Sequence, residues 1–328
     1  MFSPITGIMP VVLTPFHEDA SIDWESYARL LEWYIDKGAD ALFAVCQSSE
    51  MHELTLEERV ALAKFTARHV KNRIPVYASG HVSQDPREQK RELTSMVDTG
   101  VDGVVLVTNR LASEEAEEDT ATHGLLSLMT ELPRDLPLGL YECPAPYRRL
   151  LTDDQIKLCA DSGRFTMLKD VSCDLEVVAR RVEMSLGSPL SIMNANAAIA
   201  WPAMQAGASG FGGVFNNIHP DLYKWLYREG KQNSSLANEL AVFLATSALA
   251  EPMGYPALAK WFLKREGVLK TTTCRKMDHK DLKRFWALED ILQRIEEGNA
   301  IYRQKITENS TQTLVLSARF ASNESTTN

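Results

Sequence analysis

The sequence has no long apolar run. No stretch approaches about 18 uninterrupted apolar residues, so nothing in it reads as a membrane-spanning helix. Cysteine is scarce, with five residues: Cys46, Cys143, Cys159, Cys173 and Cys274. An odd number without metal-site or redox spacing reads as a reduced, intracellular chain, cytoplasmic and free of a disulfide framework. The seven histidines show no metal-ligand spacing either, so no metal is expected. Positive charge is in deficit. Lys and Arg number 35 against 44 Asp and Glu, a formal net charge of -9, which argues against nucleic acid or an anionic membrane as partner. The opening MFSPITGIMP lacks the basic segment and apolar run of a secretion signal. No apolar run is followed by GxGxxG or GxxxxGK(S/T), which weakens a nucleotide-binding reading.

What is present is alternation. The chain has 328 residues, 45% hydrophobic and 24% charged, enough for a large core and for one barrel of roughly 250 residues with extra helices. Short runs rich in branched residues alternate with segments of helical period. The runs are Ile8 to Leu13, Ala41 to Cys46, Pro75 to Gly80, Val104 to Thr108, Leu138 to Cys143, Phe165 to Val171, Leu190 to Met193 and Phe211 to Phe215. Helices are expected from about Asp23 to Gly38, from Thr55 with Glu58 as a capping box, and from Asp85-Pro86 to Gly100. Others are expected over Glu114 to Thr130, from Thr152 with Gln155, from Asp174, over Ala197 to Ala206 and from Pro220.

Continuous apolar strands are those of a sheet covered on both faces. Eight strand–helix units by about residue 230 predict an α/β protein, a closed (β/α)8 TIM barrel over 1–230. Residues 231–305 read as a C-terminal helical extension packed on the barrel, for example Asn238 to Leu249 and Asp281 to Glu297. Residues 306–328 read as a poorly ordered polar tail.

In such barrels the active site lies at the C-terminal ends of the strands. Lys169 ends the run FTMLKDV, Tyr141 ends LGLYECP, and the loop CQSSEMHEL after the second run is rich in small polar groups. Burial lowers a lysine's pKa and leaves a nucleophilic amine, which condenses with a ketone to an iminium. A tyrosine hydroxyl on the neighbouring strand can relay the protons. Gln47 and Ser48 are placed to meet a substrate carboxylate. The bland readings are a solvated or ion-paired lysine, a core tyrosine with a satisfied hydroxyl, a simple turn at 46–49 and a solvated Arg148-Arg149 pair.

Over roughly residues 5–300 the chain resembles the dihydrodipicolinate synthase and N-acetylneuraminate lyase family of pyruvate-dependent class I aldolases. The resemblance is carried by GIMPVVLTPF, by CQSSEMHELTLEER against the family's GTTGE loop, by LYECPAPYRRLL, by MLKDVSCDL and by GASGFGGVFNNIHPDL. It implies that Lys169 forms the Schiff base and Tyr141 relays protons. It puts Gln47 and Ser48 at the pyruvate carboxylate, and Gly212 and Gly213 beside the keto acid.

Departures carry their own implications. Gln47 stands where the family has a relay hydroxyl, and an amide cannot pass on a proton as a hydroxyl does. VTNRLAS lacks the tyrosine that synthases send into a partner subunit. Pro146 stands where they carry an arginine, which Arg148 or Arg149 would replace from nearby, and NAN replaces their GDD. The expectation is a Schiff-base lyase or aldolase joining pyruvate, or a related 2-oxo acid, with an unidentified aldehyde. Synthase activity itself is expected to be weak or absent. No cofactor is implied, and a homodimer or homotetramer is. The competing readings are a 2-oxo acid dehydratase on the same scaffold and a non-catalytic keto-acid-binding protein.

Overall fold

The computed structural model describes residues 2–277 and 285–324, with only the backbone from 312 onward. Eight parallel strands run β1 (Gly7–Ile8), β2 (Leu42–Ala44), β3 (Val76–Ala78), β4 (Gly103–Val107), β5 (Leu138–Tyr141), β6 (Phe165–Asp170), β7 (Ile192–Asn194) and β8 (Gly210–Phe211). Each pairs with its sequence neighbour from β2 to β8, and β8 pairs back to β1. The remaining seam is closed by a parallel bridge between Val11 and Phe43, with Val12 N–H on the Phe43 carbonyl at 2.9 Å. The sheet is therefore a closed (β/α)8 barrel.

Eight helices follow the strands: α1 (Trp24–Asp36), α2 (Leu56–Val70), α3 (Pro86–Val97), α4 (Glu118–Glu131), α5 (Asp153–Ser162), α6 (Leu175–Ser185), α7 (Ala200–Gln205) and α8 (Pro220–Glu229). Their starts are set by local chemistry. The Asp23 carboxylate accepts from Ser26 N–H at 3.0 Å, and Thr55 with Glu58 and Thr152 with Gln155 form reciprocal capping boxes. One face of α1 then buries Tyr27, Leu30, Leu31 and Tyr34 against the barrel. The chain leaves it through Gly38 at φ +87°, a conformation suited to glycine.

Several elements differ from the sequence reading. The first strand is short because Pro10 has no N–H to give the ladder, and the chain rejoins it only at the Val11 bridge. The eighth stops at Phe211, and Val214–Asn217 coil into a 3-10 turn. Glu114 to Glu117 precede α4 as a turn, with Ala116 N–H on the Ser113 carbonyl at 3.1 Å.

Beyond α8 lie α9 (Ser234–Ser247), a 3-10 turn over Ala248–Met253, α10 (Ala257–Arg265) and α11 (Leu288–Glu324). Asp281 to Arg284, expected to open the last helix, lie outside the described residues. The residues read as a tail from 306 continue α11 to Glu324. No proline or glycine follows Gly298, so nothing in the chain breaks the ladder once it is started. The helix is docked where it begins. Leu288, Leu292 and Ile295 are buried, Arg303 pairs bidentately with Asp221 of α8 at 2.6 and 3.0 Å, and Asn299 Oδ1 meets His219 Nδ1 at 2.8 Å.

Candidate active site

Side chains alternate across a strand, so β5 and β6 send one set into the barrel and the other toward the helices. Tyr141 and Lys169 are paired in register across the two strands. Both point inward, and Lys169 Nζ lies 4.5 Å from the centroid of the Tyr141 ring. The residues that follow them, Glu142 and Asp170, turn outward and are both clamped by Arg181 of α6. Arg181 donates to Glu142 Oε1 at 2.7 Å and Oε2 at 3.0 Å, and to Asp170 Oδ2. Glu142 also accepts the N–H of Leu151 at 2.8 Å and of Val171 at 3.1 Å. This buried cluster fixes the ends of both strands behind the reactive pair.

Lys169 is 4% exposed, and no hydrogen bond to Nζ occurs among the described residues. Burial pushes its pKa down from the ordinary lysine range, against the opposing pull of Cys46, Cys143 and Glu251. Burial drives the Tyr141 hydroxyl the other way, well above the usual phenol range, so it stays protonated.

The opposite wall is the loop after β2. Val45, a branched residue, takes φ +51°, and Glu50 takes φ +59°. Such conformations cost energy and persist only where surrounding contacts impose them. Here the Ser49 hydroxyl donates to the Val12 carbonyl and accepts Cys46 N–H at 3.0 Å, while Thr14 holds the Ser49 carbonyl at 2.7 Å. The loop so held presents Gln47 and Ser48 to the interior. Gln47 Oε1 accepts from the Tyr141 hydroxyl at 3.2 Å and from Cys143 Sγ at 3.6 Å. Two donors on one oxygen orient the amide and leave its NH2 without a partner among the described residues, free to donate into the cavity.

The cavity between these walls has a volume of about 470 Å³. Gln47, Ser48, Tyr141 and Lys169 all line it. Gly212 is not in the lining but lies near Lys169, since a Cβ there would lie 3.8 Å from Lys169 Cγ. Gly213 is not in the lining; a Cβ there would strike the Phe211 ring at 2.2 Å and the Ala195 carbonyl at 2.7 Å, so its small size serves packing. Arg148 is not brought to the cavity. It is exposed and its guanidinium caps the carbonyls of Val171 and Ser172 at 2.9 and 3.3 Å. Arg149 is buried elsewhere, on Glu118 and the carbonyl of Ser113. The loop after β5 carries both arginines outward, so neither stands in for the family's arginine.

Pro144, Val171, Ala195 and Val214 add lining from the barrel loops, and the extension adds polar lining that sequence reasoning missed: Glu251, Tyr255 and Lys276. They reach the cavity because Lys260 of α10, wholly buried, pairs with wholly buried Glu50 at 2.8 Å. Lys260 also donates to the Thr273 carbonyl at 2.7 Å, and Glu50 accepts N–H groups of Arg275 and Lys276 at 2.6 and 2.8 Å. Arg275 adds a bidentate pair to Glu58 of α2 at 2.7 Å. The extension is thus laced over the mouth of the barrel. Burial raises the Glu251 carboxyl above its ordinary range, with Lys169 pulling against it. The available sequence signal was Pro252, Gly254 and Pro256, a turn between two helical patterns. Among the described residues no three His, Cys, Asp or Glu side chains converge as a metal site, and no helix is long and apolar enough to cross a membrane.

The site thus sets a buried amine beside a phenol at the strand ends of a (β/α)8 barrel. The profile of the Dihydrodipicolinate synthetase family matches residues 4–294, and the chain belongs to that family. It is 26% identical over 224 residues to a 4-hydroxy-tetrahydrodipicolinate synthase of Methanoculleus marisnigri, covering 67% of this chain and 75% of that one. Among solved structures, a dihydrodipicolinate synthase of Bacillus anthracis superposes with a TM-score of 0.79 at 20% identity, covering 89% of this chain and 99% of that one. YagE, a prophage protein of the same family from E. coli K12 in complex with pyruvate, gives 0.78 at 22% identity, covering 89% and 98%. These low identities place the chain as a divergent member.

Proposed function

We propose that the protein is a Schiff-base-forming lyase or aldolase that acts on pyruvate or a closely related 2-oxo acid and makes or breaks a C–C bond with an aldehyde partner. One observation carries this: Lys169, buried, without a hydrogen-bond partner among the described residues and opening into the cavity, lies over the ring of Tyr141. The neutral amine adds to the keto carbon, and the carbinolamine oxygen takes a proton and leaves as water. The iminium acidifies the neighbouring carbon, a base takes its proton, and the C–H electron pair becomes the enamine double bond as the C=N π pair moves to nitrogen. That carbon attacks the aldehyde carbonyl, whose π pair moves to oxygen and is protonated, and water finally releases the product from Lys169. Tyr141 is the group that moves protons at the keto carbon. The free NH2 of Gln47 and the hydroxyl of Ser48 are the donors for the carboxylate, so Gln47 exchanges a relay role for a binding one. YagE's pyruvate complex supports the choice of keto acid.

Dehydration of a hydroxylated 2-oxo acid is the second reading, favoured by Glu251. A carboxyl whose hold on a proton is strengthened by burial in this cavity suits the departure of a hydroxyl. The synthase reaction with aspartate semialdehyde is not part of the proposal, because the chain lacks an arginine at the cavity's β5 side. A homodimer or homotetramer in the cytoplasm is proposed as well. The apolar side chains of Val242, Leu249 and Ile301, exposed on the extension, suit such contacts. The function is tested by deuterium exchange into the methyl group of pyruvate, which requires only imine–enamine cycling. Wild-type protein exchanges and Lys169→Met does not; equal exchange by both would refute the assignment.

A further inference from the structure

Lys260, Lys270 and Arg275 of the extension are each taken by a carboxylate: Glu50, Glu25 and Glu58. Lys276 is not. Its side chain has no ion pair and no hydrogen bond among the described residues. The point from which that side chain springs is nevertheless fixed. Glu50 Oε2 accepts Arg275 N–H at 2.6 Å and Lys276 N–H at 2.8 Å, and Glu50 is itself held by Lys260. An exposed lysine is ordinarily a solvated one, and Lys276 is exposed. What sets it apart is that it lines the same cavity as Lys169, and no other cation among the described residues does. Glu251, the carboxyl of that lining, does not pair with it.

We infer that Lys276 is a specificity-determining residue: it reads a second carboxylate at the far end of a 2-oxo acid held on Lys169, so that the aldehyde partner is itself an acid. This inference rests on the keto-acid reading of the same site. On that reading Lys169 is committed to the imine, and Gln47 and Ser48 to the first carboxylate. Lys276 is then the uncommitted cation of the lining. A cavity of about 470 Å³ is of the size that takes ligands much larger than a three-carbon acid, so pyruvate leaves room for a longer chain. Pro144, Val171, Ala195, Val214 and Met253 line it without charge and cannot sort aldehydes by charge. A phosphate is ordinarily met by an arginine fork. This lining has no arginine, and its one carboxyl opposes a second negative charge on the ligand, so a carboxylate is the better match. It is met from the extension and not from the loop after β5, whose Arg148 and Arg149 are engaged elsewhere.

The test needs no knowledge of the aldehyde. Borohydride trapping on Lys169 is titrated with pyruvate, 2-oxohexanoate and 2-oxoadipate in wild type, Lys276→Met and Lys276→Arg. The last two acids share a six-carbon chain and differ only in the far carboxylate; the five- and seven-carbon pairs, 2-oxopentanoate with 2-oxoglutarate and 2-oxoheptanoate with 2-oxopimelate, cover other reaches. In at least one pair wild type should half-saturate at roughly three- to tenfold lower dicarboxylic acid, between the effects of an exposed ion pair and of a charged hydrogen bond. Added salt should narrow the gap. Lys276→Met should abolish it and leave pyruvate and the monocarboxylic acids within about twofold of wild type, while Lys276→Arg should retain it. No preference at any length, or a preference that survives in Lys276→Met, would overturn the inference. So would equal weakening of every acid, pyruvate included, which would move Lys276 to the first carboxylate or into the fold. If wild type traps no pyruvate on Lys169, the Schiff-base reading falls first and this inference with it.

Discussion

The two walls of the cavity are built in opposite ways. The β5–β6 wall holds Tyr141 and Lys169 on adjacent strands in register, with Arg181, Glu142 and Asp170 locking them from behind. The facing wall holds Gln47 and Ser48 on a strained loop and Glu251, Tyr255 and Lys276 on the extension. One buried pair, Glu50 with Lys260, spans 210 residues of sequence to join these two parts. A barrel keeps its chemistry where the backbone is rigid and its selectivity where loops can change. On the proposed function, this difference assigns the imine chemistry and the choice of second substrate to separable parts of the molecule.

That separation can be broken from either side. The largest effect is expected at Tyr141. Tyr141→Phe preserves the ring over Lys169 but removes the proton, and methyl exchange of pyruvate should fall roughly 10²–10⁴-fold. Exchange at the wild-type rate would move the relay to Ser48 or water and reduce Tyr141 to packing. Next come the two buried clamps. Removing one partner of a buried ion pair costs about 3–5 kcal/mol. Arg181→Met, which strands two carboxylates, should lower stability in urea by at least that range. Lys260→Met, which strands one, should fall at its lower end and also make residues 271–277 cleavable by protease. A Lys260 variant as protected there as wild type would show that the pair does not hold the mouth.

The legibility of the sequence follows the same division. Lys169 and Tyr141 could be read because a polar residue ending a buried apolar run is visible in one dimension, and the register of neighbouring parallel strands brings such ends together. Gln47 and Ser48 were legible as a polar turn after β2. Gly212 and Gly213 were read as lying beside the keto acid; the structure puts Gly212 near Lys169 and Gly213 against Phe211. Arg148 was misplaced because the direction of a loop side chain is set by which carbonyls lie free nearby, here those of Val171 and Ser172. Glu251 and Tyr255 were invisible because their position depends on the Glu50–Lys260 contact, which no local pattern announces.

The smallest expected effect concerns pH. Imine formation needs the neutral amine. Burial lowers the Lys169 pKa, and the Glu251 carboxylate raises it again by favouring the ammonium. Removing that charge with Glu251→Gln should lower the Lys169 pKa further. The acid limb of the pyruvate exchange profile then moves to lower pH, with the rate on its plateau unchanged if the protein is an aldolase whose keto-acid half works alone. A shift to higher pH would mean that Glu251 does not face the amine, and a lost plateau would place it in the keto-acid chemistry itself.

The central claim is that Lys169 carries the substrate, and the most direct measurement of it is covalent. Borohydride added to the protein with pyruvate should fix one reduced adduct per chain, map it to the peptide containing Lys169 and inactivate methyl exchange in proportion. Folded protein that yields no adduct on that peptide, or yields it equally on other lysines, would contradict the account.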